Sequence, residues 1–348
     1  MIRVLVVDDS SVLRRLISSV LSEDPDIEVV GAARDGLEAI EMVDALLPDA
    51  VTLDVEMPRL DGLGALAVIH PRHPRLPIIM FSTLTERGAT STLEALSNGA
   101  SDYVTKPSNT GSMAESMSEV RDQLVPRIKA LAGVRRVVAA RPVVRRAVPP
   151  RATRCRLLVI ASSTGGPDAL AQVLATLPGD LPVPVLIAQH MPPVFTTMFA
   201  ERLDRVSPLS VREAVDGDLV VAGQVLVAPG DRHLRISRVS GVVRAHLDDG
   251  PKESFCRPAA DPLFRSAAET YGDAVVALVL TGMGHDGLGG CRAIAERKGR
   301  IMVQDEATSV VWGMPGAVAG AGLADEVVPL GEIAQRVTSM VAGPLLRC

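Results

Sequence analysis

Short runs of aliphatic and β-branched residues recur along this chain, each followed by a longer stretch whose apolar residues return every three or four positions. That rhythm limits the fold more than any other feature. A run of four to six apolar residues is too short for a core helix and long enough for a strand buried on both faces. The amphipathic stretch between two such runs carries the chain back, so that the next strand lies parallel to the last. In the first part of the chain, strands are expected at residues 3–7, 28–32, 50–54, 78–81 and 102–104. Helices are expected to begin near Ser11, Leu37, Gly62 or Leu63, Ala89 and Ser112. Five such units predict a five-stranded parallel sheet with helices on both faces.

The pattern starts again after residue 153. Strands are expected at 156–160, 184–189, 211–213, 225–227, 242–247, 274–280 and 300–303, with helices at 168–177, 194–204, 260–271, 287–298 and 332–342. A hairpin-like insert is expected around Gly241. Between the two parts, no acidic residue occurs from Asp122 to Asp168, and the interval carries RVVAARPVVRRAVPPRATR. Dense proline and arginine read as a linker. The expected organisation is α/β throughout: a domain over residues 1–125, a linker over 126–153, and a doubly wound domain over 154–348. The linker arginines fit a solvated tether or contact with an acidic surface.

Composition removes several classes of function. Aromatic residues are 2% of the chain, too few for base-stacking surfaces, and the net charge of -5 favours neither nucleic acid nor an anionic membrane. The four cysteines are scattered, so neither a disulfide framework nor structural zinc is expected, and reduced thiols imply a cytoplasmic protein. No apolar run approaches the ~18 residues of a membrane helix, so no membrane insertion is expected.

In parallel sheets, function gathers at the carboxyl ends of the strands. In the first domain those ends carry Asp8 and Asp9, Asp54, Ser82 and Lys106. Clustered carboxylates repel unless a hard cation lies among them, and oxygen ligands of this kind suit Mg²⁺. A metal and a lysine would neutralise charge on a transferring phosphoryl group, and a carboxylate nucleophile would then form an acyl phosphate. VLVVDDS, TLDVEMPRLDG, MFSTLT and YVTKP resemble the receiver domain of bacterial response regulators, a flavodoxin-like fold. The resemblance implies that Asp54 is the phosphoacceptor and that Asp8, Asp9 and the backbone of Glu56 hold Mg²⁺ with it. It further implies that Lys106 contacts the phosphate, Ser82 is the switch hydroxyl and Tyr103 the switch aromatic.

In the second domain, VIASSTGGPDAL sets hydroxyls on a strand–turn–helix elbow. His190 ends the strand VLIAQ, and Asp286 lies in LTGMGHDG, at another glycine-rich strand end. If the sheet is parallel there, Ser163, His190 and Asp286 converge as nucleophile, base and orienting carboxylate. Nearby glycines would leave backbone N–H groups free for an oxyanion. Plainer readings stand beside this one. Ser163 could cap a helix, His190 could be a satisfied half-buried histidine, and Asp286 could bond loop amides. STGG before a helix also suits an anion, although neither GxGxxG nor GxxxxGK[ST] is present.

ASSTGGPDAL, QHMPPVFT, APGDRH, CRPAADPLF and LTGMGHDG resemble the methylesterase domain of CheB-type chemotaxis response regulators. The resemblance maps the nucleophile to Ser163, the general base to His190 and the orienting carboxylate to Asp286, with Thr164 and Met283 as backbone oxyanion donors. Where that family usually has Gly-Ala, this chain has Ala161 and Ser162, which makes Ser162 the rival nucleophile. Ser254 and Ala259 stand where Asn and Ser are common. The implied function is hydrolysis of glutamate methyl esters and deamidation of particular glutamines on chemoreceptors. It would be controlled by phosphorylation from a CheA-type histidine kinase, without a cofactor in the esterase domain. The unphosphorylated receiver is expected to cover the esterase site. The competing expectation is a two-component regulator whose output is binding.

Overall fold

The computed structural model describes residues 1–107, 112–133 and 155–342. The chain divides into two compact units, residues 1–139 and 140–348.

The first unit alternates β1 (Ile2–Val7), α1 (Ser11–Ser22), β2 (Ile27–Ala33), α2 (Gly36–Leu46), β3 (Ala50–Asp54), α3 (Gly62–Arg72), β4 (Ile78–Ser82), α4 (Glu86–Ser97), β5 (Asp102–Thr105) and α5 (Met113–Gly133). The sheet runs β2-β1-β3-β4-β5, and every pairing is parallel. β3 and β4 are buried along their whole length, as continuous apolar runs predict. The strand order reverses between β1 and β3, so Asp8 and Asp54 emerge side by side at the switch point. Polar side chains start the helices. Asp35 caps α2 through Leu37 and Glu38, and Asp61 caps α3 through Gly64. Thr85 caps α4, which therefore starts at Glu86 and not near Ala89.

One boundary needs correction. Residues 126–133, expected in the linker, form the end of α5. Pro126 lies inside this helix, but Leu124, Ile128 and Leu131 repeat on one face and are buried. Each such side chain contributes about 1.5–3 kcal/mol, against about 3 kcal/mol for a proline inside a helix, so the stripe wins. The rest of the expected linker, 134–153, lies outside the described residues.

The second unit contains β6 (Leu157–Ser162), α6 (Gly166–Thr176), β7 (Val185–Gln189), α7 (Phe195–Val206), β8 (Ser210–Glu213), β9 (Gln224–Val227), β10 (His233–Val239), β11 (Val242–Asp248), α8 (Ala260–Tyr271), β12 (Val275–Val279), α9 (Leu288–Glu296), β13 (Arg300–Gln304), α10 (Met314–Gly320), β14 (Glu326–Val328) and α11 (Leu330–Ala342). Seven strands pair in parallel in the order β14-β13-β12-β6-β7-β9-β8. From β6 the chain builds outward through β7, β8 and β9, then returns to β12 and builds the other way. The switch point therefore lies between β6 and β12. Leu157, Val159 and Ala161 of β6 and Val275, Ala277 and Val279 of β12 pack in one core with Leu263, Phe264 and Ala267 of α8 and Ile294 of α9. The expected hairpin around Gly241 is β10 and β11, paired antiparallel. Its Ile236 amide donates to Ser266 Oγ on α8. α10 and β14 were not expected, and β10 was expected only as an arm of the hairpin.

Among the described residues, no helix is long and apolar enough to cross a membrane.

Candidate active site and acidic pocket

In the first unit, carboxylate oxygens of Asp8, Asp9 and Asp54 all lie within 4.8 Å of one another. Asp8 and Asp54 are buried, while Asp9 is exposed. Lys106 Nζ lies 2.8 Å from Asp54 Oδ1 and 3.3 Å from Asp8 Oδ2. The Lys106 amide donates to Ser82 O, which fixes the lysine to the end of β4. The Glu56 amide donates to Asp54 Oδ1 at 3.3 Å. Even so, Asp8 Oδ2 and Asp54 Oδ2 are buried without a well-formed hydrogen bond, the 3.3 Å approach of Lys106 being poorly directed for one. Burial and then the Asp8 charge push Asp54 up to about 6, against the pull of Lys106. Burial likewise raises Asp8.

One lysine thus faces three carboxylates, two of them with orphaned oxygens. An all-oxygen donor set with surplus negative charge fits Mg²⁺, which takes such ligands together with waters and phosphate oxygens. An open cleft beside it is lined by Asp9, Glu56, Met57, Asp61 and Arg87. Ser82 ends β4, and Tyr103 lies on the neighbouring β5. The Ser82 hydroxyl donates to Gly88 O at 3.1 Å, and Tyr103 is buried.

In the second unit, the strongest feature is the environment of Asp286. Its Oδ2 is 2.7 Å from His190 Nε2 and accepts the Ala260 amide at 2.6 Å. Its Oδ1 accepts the amides of Asp261 and Gly287. The start of α8 and the turn before α9 therefore grip the carboxylate in place. Burial opposes its charge, but His190 and these amides hold its pKa below the ordinary carboxylate value. A carboxylate only accepts, so His190 Nε2 carries the proton and Nδ1 is the nitrogen left to act as a base. Burial pulls the imidazole down, yet Asp286 and the Cys256 sulfur beside it outweigh this and push it up to about 10.

Ser163 sits one residue beyond β6, and His190 one residue beyond β7. Ser162 pairs with Gln189 across those strands, so Ser163 and His190 occupy neighbouring positions at the same sheet edge. The His190 amide donates to Ser162 O, and the Ser163 amide donates to Thr281 O beyond β12. A side chain added at Gly282 would come within 2.9 Å of Ser163 Cβ, so the β12 end also closes on the serine. Ser163 is partly exposed, whereas Ser162 is fully buried and donates to Gln189 Oε1 at 2.6 Å. Burial and that bond engage the Ser162 hydroxyl inside the domain, whereas Ser163 keeps some exposure.

The glycine pair serves close packing. A Cβ at Gly166 would lie 2.2 Å from Gln189 Oε1, and Gly165 has φ 73° against Val310. Thr164 is buried, and its carbonyl accepts the Thr281 hydroxyl. Met283 is partly buried and lies between Gly282 and Gly284. The exposed His285 takes no part in the Asp286 grip.

Sequence reading missed three contributors. Gln189 holds the elbow from below, with Nε2 donating to Ser163 O and His190 O. Cys256 lies against His190; CRPAADPLF marked the segment but not the contact. His233, fully buried, fastens the segment before α8, with Nδ1 accepting the Ala259 amide and Nε2 donating to Pro251 O. The histidine of APGDRH was the available signal for that fastening.

The fold and these two sites define a two-unit α/β protein with a receiver-type acidic pocket and a hydrolase-type carboxylate–imidazole pair. The CheB methylesterase pattern matches residues 158–337, and the response regulator receiver pattern matches residues 4–118. A protein of Nocardioides sp. called protein-glutamate methylesterase/protein-glutamine glutaminase is 52% identical over 98% of this chain and 96% of its own length. A protein of the same name from Trichodesmium erythraeum is 46% identical over 96% of this chain and 97% of its own. The CheB methylesterase catalytic domain of Thermotoga maritima is 41% identical, with a TM-score of 0.52 over 53% of this chain and 98% of its own. The chain belongs to the CheB methylesterase family and carries its receiver domain.

Proposed function

We propose that Ser163, His190 and Asp286 hydrolyse glutamate methyl esters and particular glutamine side chains on chemoreceptors, under control of phosphorylation at Asp54. The observation that carries this reading is the Asp286 carboxylate, gripped by three backbone amides and bound to His190 at 2.7 Å. Elaborate fixation of one buried carboxylate against one imidazole sets the tautomer a general base needs.

His190 Nδ1 takes the Ser163 proton as Oγ attacks the side-chain carbonyl. The tetrahedral oxyanion is held by the Thr164 and Met283 amides. His190 returns the proton to the leaving methoxide, methanol departs, and Ser163 carries a glutamyl ester. Water then attacks, again giving its proton to His190, and release of the glutamate restores the serine. From a glutamine the leaving group is ammonia, and the later steps are the same. The raised pKa makes the neutral imidazole a strong base while keeping it scarce at neutral pH.

In the receiver, Asp54 accepts a phosphoryl group from a histidine kinase. Asp8, Asp9, Asp54 and the Glu56 backbone would hold Mg²⁺, which supplies charge neutralisation for phosphoryl transfer. Lys106 contributes a fixed positive charge to the acceptor carboxylate. Ser82 and Tyr103 respond to the modification. The domain organisation proposed is a receiver through residue 133, a linker and an esterase domain from residue 154, in a cytoplasmic protein. A regulator with a binding output is not favoured, because the second unit matches a catalytic family.

The test is methanol release from methylated receptor membranes, with and without a phosphodonor. Ser163→Ala is expected to abolish release; full activity in that variant would overturn the assignment.

A further inference from the structure

The chain has five phenylalanines. Four of them, Phe81, Phe195, Phe199 and Phe264, are 0–1% exposed, while Phe255 is 95% exposed. Phe255 also stands in an unfavourable backbone conformation. Ser254 has φ 50° and Phe255 φ 64°, both left-handed. The amides and carbonyls of Glu253 and Cys256 bond each other across these two residues. This is the mirror-image two-residue turn that favours Asn-Gly and disfavours a bulky side chain.

The loop that carries this turn is tightly braced. His233 ties Pro251 to Ala259. Arg257 grips Asp231 Oδ1 with two nitrogens and donates to the carbonyls of Asp249 and Gly250. Glu253 pairs with Arg265 of α8. A loose loop would let the ring fold down onto apolar surface; this one holds it out in water. The loop is also continuous with the catalytic machinery. Cys256, the next residue, lies against His190, and five residues on the Ala260 amide binds Asp286.

We infer that Phe255 is a docking residue for the protein substrate, packing on an apolar side chain of the substrate surface that flanks the glutamyl ester or glutamine being hydrolysed. This rests on the hydrolase reading above and adds a determinant of substrate choice to it. Aromatic side chains held rigid supply large contact area at little entropic cost, which is how interface anchors work. A ring projected from the loop that also sets Cys256 against the imidazole would meet the surface that flanks the reacting side chain. Its contact is made with the substrate protein and not with the ester group.

The test uses the full-length protein activated by a phosphodonor, comparing wild type with Phe255→Asn. Asparagine favours the left-handed turn, so the loop keeps its shape. Two substrates are followed: receptor membranes carrying labelled methyl esters, and the 5-methyl ester of N-acetylglutamate. The ratio of kcat/KM for receptor to kcat/KM for the small ester is expected to fall about tenfold or more, through KM for the receptor. A ratio within about threefold of wild type, including a parallel fall on both substrates, would overturn the inference. Wild-type protein inert on both substrates would overturn the hydrolase reading and this inference with it.

Discussion

Exchanging Asp286 for asparagine preserves shape while changing which atoms accept. The carboxylate takes four hydrogen bonds: His190 Nε2 and the Ala260 amide at Oδ2, and the Asp261 and Gly287 amides at Oδ1. Asparagine has one acceptor oxygen, so its NH₂ must face one of these two pairs. Facing Asp261 and Gly287, it leaves two amide donors without an acceptor. Facing His190 and Ala260, it orphans only the Ala260 amide, provided the imidazole moves its proton to Nδ1 and accepts at Nε2. Each orphan costs about 1–3 kcal/mol, so the second arrangement wins. The imidazole then carries hydrogen on the nitrogen that should accept the serine proton. Asp286→Asn is therefore expected to lose ~1–3 kcal/mol of stability and about 10³–10⁴-fold in kcat. Urea unfolding can be followed through Trp312, the single tryptophan, whose Nε1 bonds Gln304 O within this domain. Single-turnover methanol release gives the rate, and ¹⁵N chemical shifts of His190 give the tautomer. A rate within about tenfold of wild type, or a large loss with the Nε2-protonated tautomer intact, would refute the reasoning.

Ser162→Ala is expected to keep activity within a few-fold while losing about 1–3 kcal/mol from the orphaned Gln189 oxygen; activity as low as in Ser163→Ala would move the nucleophile to Ser162. His190 must be neutral to accept a proton and its pKa is raised to about 10. Hence kcat/KM should climb as pH rises through and above neutrality, and Cys256→Ala, which removes one cause of the rise, should shift the curve to lower pH. A profile falling above pH 7 in both proteins would contradict this sign. Chelation of divalent cations should lower phosphoryl incorporation from a small acyl-phosphate donor by at least about tenfold, since among the described residues Asp8, Asp9 and Asp54 face one lysine; incorporation that persists in excess EDTA would count against the metal site.

Both sheets and the strand ends that carry Asp8, Asp54, Lys106, Ser163, His190 and Asp286 were legible in the sequence. Period and run length determine buried parallel strands, and parallel strands gather their carboxyl ends along one edge. What escaped depended on long-range contact. The last turns of α5 were assigned to the linker, since the burial of Ile128 and Leu131 is a tertiary fact. β14 and α10, three and seven residues long, are too short to show a period. Ser162 and Ser163 look alike in sequence and differ only through Gln189, which engages one hydroxyl and one carbonyl. The contact of Cys256 with His190 joins residues 66 positions apart, and no local pattern encodes it.

His233 ties the ends of the 251–259 loop together, while the chain between them carries both a turn in water and a sulfur against the imidazole. Such a frame separates two kinds of inheritance. Residues 254 and 255 can drift from one lineage to another without disturbing the hearth of the reaction, because the fastening, and not the tip, sets the shape. The same domain can thus change its clientele while its chemistry stays put.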